Sequence, residues 1–158
     1  MTIYAGIGSR ETPERVLLRM QRMGLCYALK GYTLRSGHAR GADRAFERGC
    51  DQVMGAKEIF YKEDATYEAF QMAPLFHPSW NAVGDAGQAL MARNCMIILG
   101  KNLDTPVDFV ECWTLEGKML GGTAHALQLA LSRGIPIKNY GTPVPPRIVK
   151  ERLEYYSI

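Results

Sequence analysis

Ser36-Gly37-His38-Ala39-Arg40-Gly41-Ala42-Asp43 is the stretch on which the fold turns. It follows a short strand-like run, Tyr32-Thr33-Leu34, and leads into a helical pattern that continues to about Gly55. A strand that passes through a glycine-rich turn into a helix is one unit of a β-α repeat. Gly37 and Gly41 let the backbone approach a ligand closely, near a helix N-terminus whose dipole favours an anion. Arg40 adds a full positive charge. Asp43 falls in the first helical turn, placed to cap amides or to hold a ribose hydroxyl.

The same unit recurs on both sides. Upstream, Thr2 to Ile7 reads as a strand ending in Gly6-Ile7-Gly8-Ser9-Arg10. A helix follows, with Thr12 as its N-cap, Pro13 at its first position and Gly31 as its stop. Downstream, strands are expected at Glu58–Tyr61, Cys95–Leu99, Val107–Trp113 and Ile135–Ile137. Helices are expected over Glu63–Ala73, Asp85–Asn94 and Thr123–Ser132, and a short one after the turn Pro143-Val144-Pro145-Pro146. The last strand should lie near an edge, because Pro136 lacks a ladder donor. Alternating β and α elements predict an α/β fold: a Rossmann-like three-layer sandwich with a mostly parallel sheet. At roughly 100–200 residues per domain, residues 1–158 read as a single domain.

Composition narrows the function classes. Hydrophobic residues make up 47% and charged residues 22%, which excludes disorder and coiled coil as whole-chain descriptions. The net charge of +3 suits a phosphate-bearing ligand and is too small to argue for duplex DNA. No run is long enough to span a membrane, and the N-terminus does not read as a signal peptide, so no membrane partner and a cytoplasmic location are expected. Cys26, Cys50, Cys95 and Cys112 form no C-x-x-C pair, so they read as buried free thiols; no metal and no cofactor are expected.

Ligands bind at the carboxyl ends of the strands in an open parallel sheet. Three loops fall there. In the first, Gly8, Ser9 and Arg10 offer amides, a hydroxyl and a charge, without the third glycine of a dinucleotide fingerprint. The second is Ser36, Gly37, His38, Arg40, Gly41 and Asp43. In the third, Gly121, Gly122 and Thr123 open a helix. Arg93 and Asn94, before the apolar run 95–99, point over the same edge. Trp80 and Trp113 are candidates for base stacking, with core packing the better reading of Trp113.

Gly8-Ser9-Arg10, Ser36–Asp43, Arg93-Asn94 and Gly121-Gly122-Thr123, in that order, resemble the SLOG superfamily of Rossmann-like nucleotide-binding proteins. Its members include the DNA-processing protein A family, the nearer match, and the "lonely guy" phosphoribohydrolases. The resemblance covers about residues 3–140 and does not account for 60–85. It implies a nucleotide or nucleotide-derived ligand, and pairing as a homodimer. The phosphoribohydrolases carry an arginine upstream of P-G-G-x-G-T-x-x-E, whose glutamate takes part in cleaving an N-glycosidic bond. Arg93 matches the arginine, but the glutamate position holds Ala126. Glu111, Glu116 and Asp43 are the carboxylates left for catalysis. Three functions follow in order: nucleotide binding without chemistry, N-glycosidic hydrolysis of a nucleoside monophosphate, and single-stranded DNA binding as in the DNA-processing members.

Overall fold

The computed structural model describes residues 1–143. Most of the proline turn at 143–146 and the helix expected after it lie outside the described residues. Five strands form one parallel sheet: β1 (Ile3–Gly6), β2 (Thr33–Ser36), β3 (Lys57–Ile59), β4 (Phe109–Cys112) and β5 (Ile137–Asn139). Their order is β3-β2-β1-β4-β5. The chain therefore winds one way from β1 through β3, then crosses back to β4 on the other side of β1. That reversal opens a crevice at the carboxyl ends of β1 and β4, where doubly wound folds place ligands. β5 is an edge strand as expected, but it runs Ile137–Asn139 rather than Ile135–Ile137, so Pro136 precedes the strand instead of lying within it.

Strand side chains alternate between two cores. Ile3, Ala5, Ile7, Val110 and Cys112 face one layer of helices: α3 (Tyr67–Met72), α4 (Asp85–Leu99) and α5 (Gly121–Ser132). Tyr4, Leu34, Phe109 and Trp113 face the other: α1 (Glu14–Leu29) and α2 (Ala42–Asp51). Helices on both faces are the reason the strands read as continuous apolar runs.

α1 and α2 lie unusually close. A Cβ on Gly24 would fall 2.4 Å from the Phe46 carbonyl oxygen, and one on Gly49 would fall 1.9 Å from that of Gln21. Only glycine permits this backbone approach.

Three local expectations are corrected. Cys95–Leu99 is not a strand but the last part of α4, which runs unbroken from Asp85 to Leu99. Every residue from Cys95 to Leu99 is buried, and a helix end buried all round carries no periodicity to separate it from a strand. Thr12 does not cap α1. Its hydroxyl donates to the Ser9 carbonyl at 2.6 Å, and Pro13 stands at the cap position. Cys26 is exposed, and only Cys50, Cys95 and Cys112 are buried. The segment between β3 and α4 is built of three short 3₁₀ turns around α3.

Candidate functional site

A cleft of about 670 Å³ opens at the carboxyl edge of the sheet. Of the residues expected there from sequence, Gly8, Ser9, Arg10, Gly37, Asp43, Arg93, Asn94, Gly121, Gly122 and Thr123 line it. Gly37 and Gly122 thus share one cleft although they lie far apart in the chain. The loop after β1 and the loop after β2 interlock at Gly41. Its φ is +91°, and a Cβ there would fall 2.6 Å from the Ser9 carbonyl oxygen.

Asp43 knots these loops together. Buried at the first turn of α2, its Oδ2 accepts from the Gly37 amide at 3.1 Å and the Ala39 amide at 3.4 Å. The Gly37 and Ala39 amides are therefore spent within the protein rather than free for an anion. Arg93, mid-helix in α4 and 7% exposed, spans the next gap. Its Nη1 donates to the carbonyls of Gly37 at 3.0 Å and Phe60 at 3.1 Å. These are the strand-end carbonyls after β2 and β3, which the sheet itself cannot satisfy. Arg93 packs so tightly on Gly37 that a Cβ there would fall 2.2 Å from Nη1. Its Nη2 has no hydrogen-bond partner among the described residues, and the side chain lines the cleft.

The far wall is the start of α5. Leu120 precedes it, no side chain caps it, and no acidic residue stands in its first turn. Asn94 Nδ2 donates to the Gly122 carbonyl at 3.4 Å, tying this helix end to α4. A 12-residue helix with an open N-terminus presents amides and a positive dipole end to the cleft.

Other expected site residues stand outside the cleft lining. Ser36 is fully buried, and its hydroxyl donates to the Gly6 carbonyl at 2.6 Å. His38, in a left-handed conformation at φ +60°, turns away to Glu47, with Nδ1 to Oε1 at 2.6 Å. Arg40 is exposed and is not among the residues lining the cleft. Glu111 lies beneath the α1 side of the sheet, 1% exposed, where the Tyr27 and Tyr140 hydroxyls both donate to it. Glu116 is exposed and paired with Lys118 at 2.8 Å. Trp113 packs in the α1/α2 core and Trp80 against the opposite core.

Sequence reasoning did not find the apolar wall of the cleft: Leu90, Met91, Ile97, Leu120 and Ala126. Ile97 was hidden by the strand assignment to 95–99. Tyr61 and Lys62, also in the wall, sit at the end of β3 and carry the same positional signal as the other strand-end loops.

Burial pushes the Asp43 carboxyl up to about 6 from an ordinary 3.8, against the pull of Arg93 and of the Gly37, Ala39 and Gly8 amides. The folded state therefore holds this proton more tightly than the unfolded chain. The resulting stability is fully present below about pH 3.8 and is lost as pH rises through about 6. The gap corresponds to at most about 3 kcal/mol. Denaturation midpoints of wild type and Asp43→Asn across that window check it. The variant should lack this falling component, and parallel pH profiles would refute it.

No helix among the described residues is long and apolar enough to cross a membrane. No protein-family model matches the chain, and no curated protein sequence matches it. Among solved structures, the chain is similar to DNA processing protein A from Helicobacter pylori, reported for its single-stranded DNA binding mode. The two share 18% identity with a TM-score of 0.61, over 98% of this chain and 73% of that one. At that identity the likeness establishes the architecture: the chain has a Rossmann-like fold similar to that of DNA processing protein A.

Proposed function

We propose that the cleft binds a nucleotide. The observation that carries the reading is Arg93: a residue only 7% exposed that lines the cleft, held by two carbonyls through Nη1, with Nη2 unpartnered among the described residues. A buried cation with spare donors is matched by a phosphate oxygen. The open α5 N-terminus adds a second set of donors, and the wall of Leu90, Met91, Ile97 and Leu120 suits the faces of a base. N-glycosidic hydrolysis is not part of the proposal. Of its three candidate carboxylates, Glu111 and Glu116 lie outside the cleft and Asp43 is engaged by backbone amides.

The test is calorimetry with a panel of nucleoside monophosphates on wild type and Gly122→Val. A Cβ on Gly122 meets nothing within 4 Å, so the fold should tolerate the substitution while valine intrudes on the cleft. Affinity should fall tenfold or more, about 1.4 kcal/mol. Equal affinity would remove the cleft as the site.

A second reading has its own observation. The structural neighbour is a single-stranded DNA-binding protein, so the nucleotide held in the cleft would be one unit of a strand. Competition between a mononucleotide and a thymidine oligonucleotide ranks the two forms.

A further inference from the structure

The outer surface of α1 and α2 is dominated by arginine. Arg15, Arg19 and Arg22 on α1, and Arg44 and Arg48 on α2, are exposed, as are Arg10 and Arg40 in the loops that precede these helices. None of the seven takes part in an ion pair among the described residues. The acidic groups nearby are fewer. Glu11 and Glu14 are exposed, while Glu47 and Asp51 are occupied by Lys57 at 2.7 and 2.8 Å.

Packing concentrates this charge. Gly24 and Gly49 bring the two helices to backbone contact, so the exposed arginines of both helices lie on one side of the sheet, Arg19 leaning over the Tyr140 ring at 5.1 Å from its centroid. Arg48 bridges the seam, its Nε donating to Gln21 Oε1 at 3.3 Å. Arg44 and Arg48 stand four residues apart on α2, a step of about 6 Å along the helix axis, and Arg40 precedes them in the loop. Arg40 and Arg10 stand at the carboxyl edge of the sheet, and Arg10 itself lines the cleft. Gathering like charges on one face costs stability. A polyanion repays that cost, and guanidinium is the group suited to phosphate.

We propose that the arginine face of α1 and α2 is a track for the sugar-phosphate backbone of a single strand, one nucleotide of which sits in the cleft. The proposal rests on the single-strand reading above. It favours a single strand over a duplex because the track begins at the cleft proposed above to hold one unpaired nucleotide. Phosphate contacts of this kind carry no sequence information and make binding steeply salt-dependent.

The experiment follows fluorescence anisotropy of labelled thymidine strands of about 6 and about 24 nucleotides, spanning the usual site sizes, across a salt series. Wild type is compared with the triple variant Arg22→Gln/Arg44→Gln/Arg48→Gln and with Gly122→Val. All three arginines are solvent-exposed, and circular dichroism confirms that the variants fold. The triple variant should bind the long strand at least tenfold more weakly at low salt. Its log–log salt slope should be shallower by about two, because each phosphate that an arginine neutralises on a single strand adds about 0.7 to the slope. Its affinity for a mononucleotide should not change.

A lowered slope with Gly122→Val unaffected supports the track and overturns the cleft. An unchanged slope in the triple variant, with the long strand still bound, overturns the track and leaves the cleft reading standing. Failure of wild type to bind either strand overturns the track as well. Equal binding and slope for a duplex of the same length overturn the single-strand assignment. Preference for polyglutamate over the strand, abolished in the triple variant, would overturn it in favour of an acidic protein partner.

Discussion

Replacing Arg93 with methionine is expected to lower stability by about 3–5 kcal/mol, the cost of removing one partner from a buried charged network. Methionine replaces the aliphatic stem of the arginine and stops short of the guanidinium, so packing along the stem is largely kept. What disappears is the donor set. The carbonyls of Gly37 and Phe60 lose their bonds from Nη1, and both sit where the sheet offers no replacement. The buried Asp43 also loses the cation that most favours its charged form, because Arg93 is the largest influence holding that carboxyl down against desolvation. Burial in turn pulls the Arg93 guanidinium below its ordinary range, opposed by Asp43 and Glu63, so the two residues depend on one another. Urea midpoints measure the effect. Arg93→Lys, which keeps the charge but not the fork of donors, should fall between wild type and methionine. A methionine variant within about 1 kcal/mol of wild type would show that the network is not a structural keystone.

Gly49→Ala should cost about 3 kcal/mol or more, at the upper end of overpacking effects. The added Cβ would lie 1.9 Å from the Gln21 carbonyl oxygen and 2.7 Å from the Leu25 amide nitrogen. Both are backbone atoms of α1, so no side chain can swing away, and the helix itself must shift. Alanine normally stabilises a helix interior over glycine by about 1 kcal/mol, so the sign of the measured change separates packing from propensity. Gly122→Ala, where nothing lies within 4 Å, is the control and should be near neutral. A Gly49→Ala protein as stable as wild type would mean that α1 and α2 can separate freely. The arginine face would then lose the close packing that concentrates it.

The β-α alternation was legible because each unit is local. A strand-length run, a glycine turn and a cap signal lie within about a dozen residues, and each is dictated by neighbours in the chain. The segment 95–99 was not legible in the same way. Cys-Met-Ile-Ile-Leu is buried throughout, and burial on all sides is set by elements distant in sequence: the sheet beneath and the segment between β3 and α4 above. A core helix end and a core strand then look alike.

The site divides along the same line. The strand-end positions of Gly8, Ser9, Gly37 and Gly122 followed from the sequence alone, since a parallel sheet sends every β-α loop to one edge. What each group does there was decided by tertiary partners. The Gly37 and Ala39 amides point to Asp43 rather than to a ligand because a buried carboxylate must be satisfied. Glu111 reads as an available carboxylate along the chain, yet strand alternation turns it to the α1 face, beneath Tyr27 and Tyr140. Arg93 reads as a polar helix end, but the fold lays it across two strand termini. The exposed arginines are dispersed over residues 10–48 in the sequence, and those of α1 and α2 come onto one side of the sheet when the two helices pack together at Gly24 and Gly49. Local order determines which elements form and where their loops emerge. Hydrogen-bond satisfaction and close packing between distant segments decide which side chains remain free to meet a ligand.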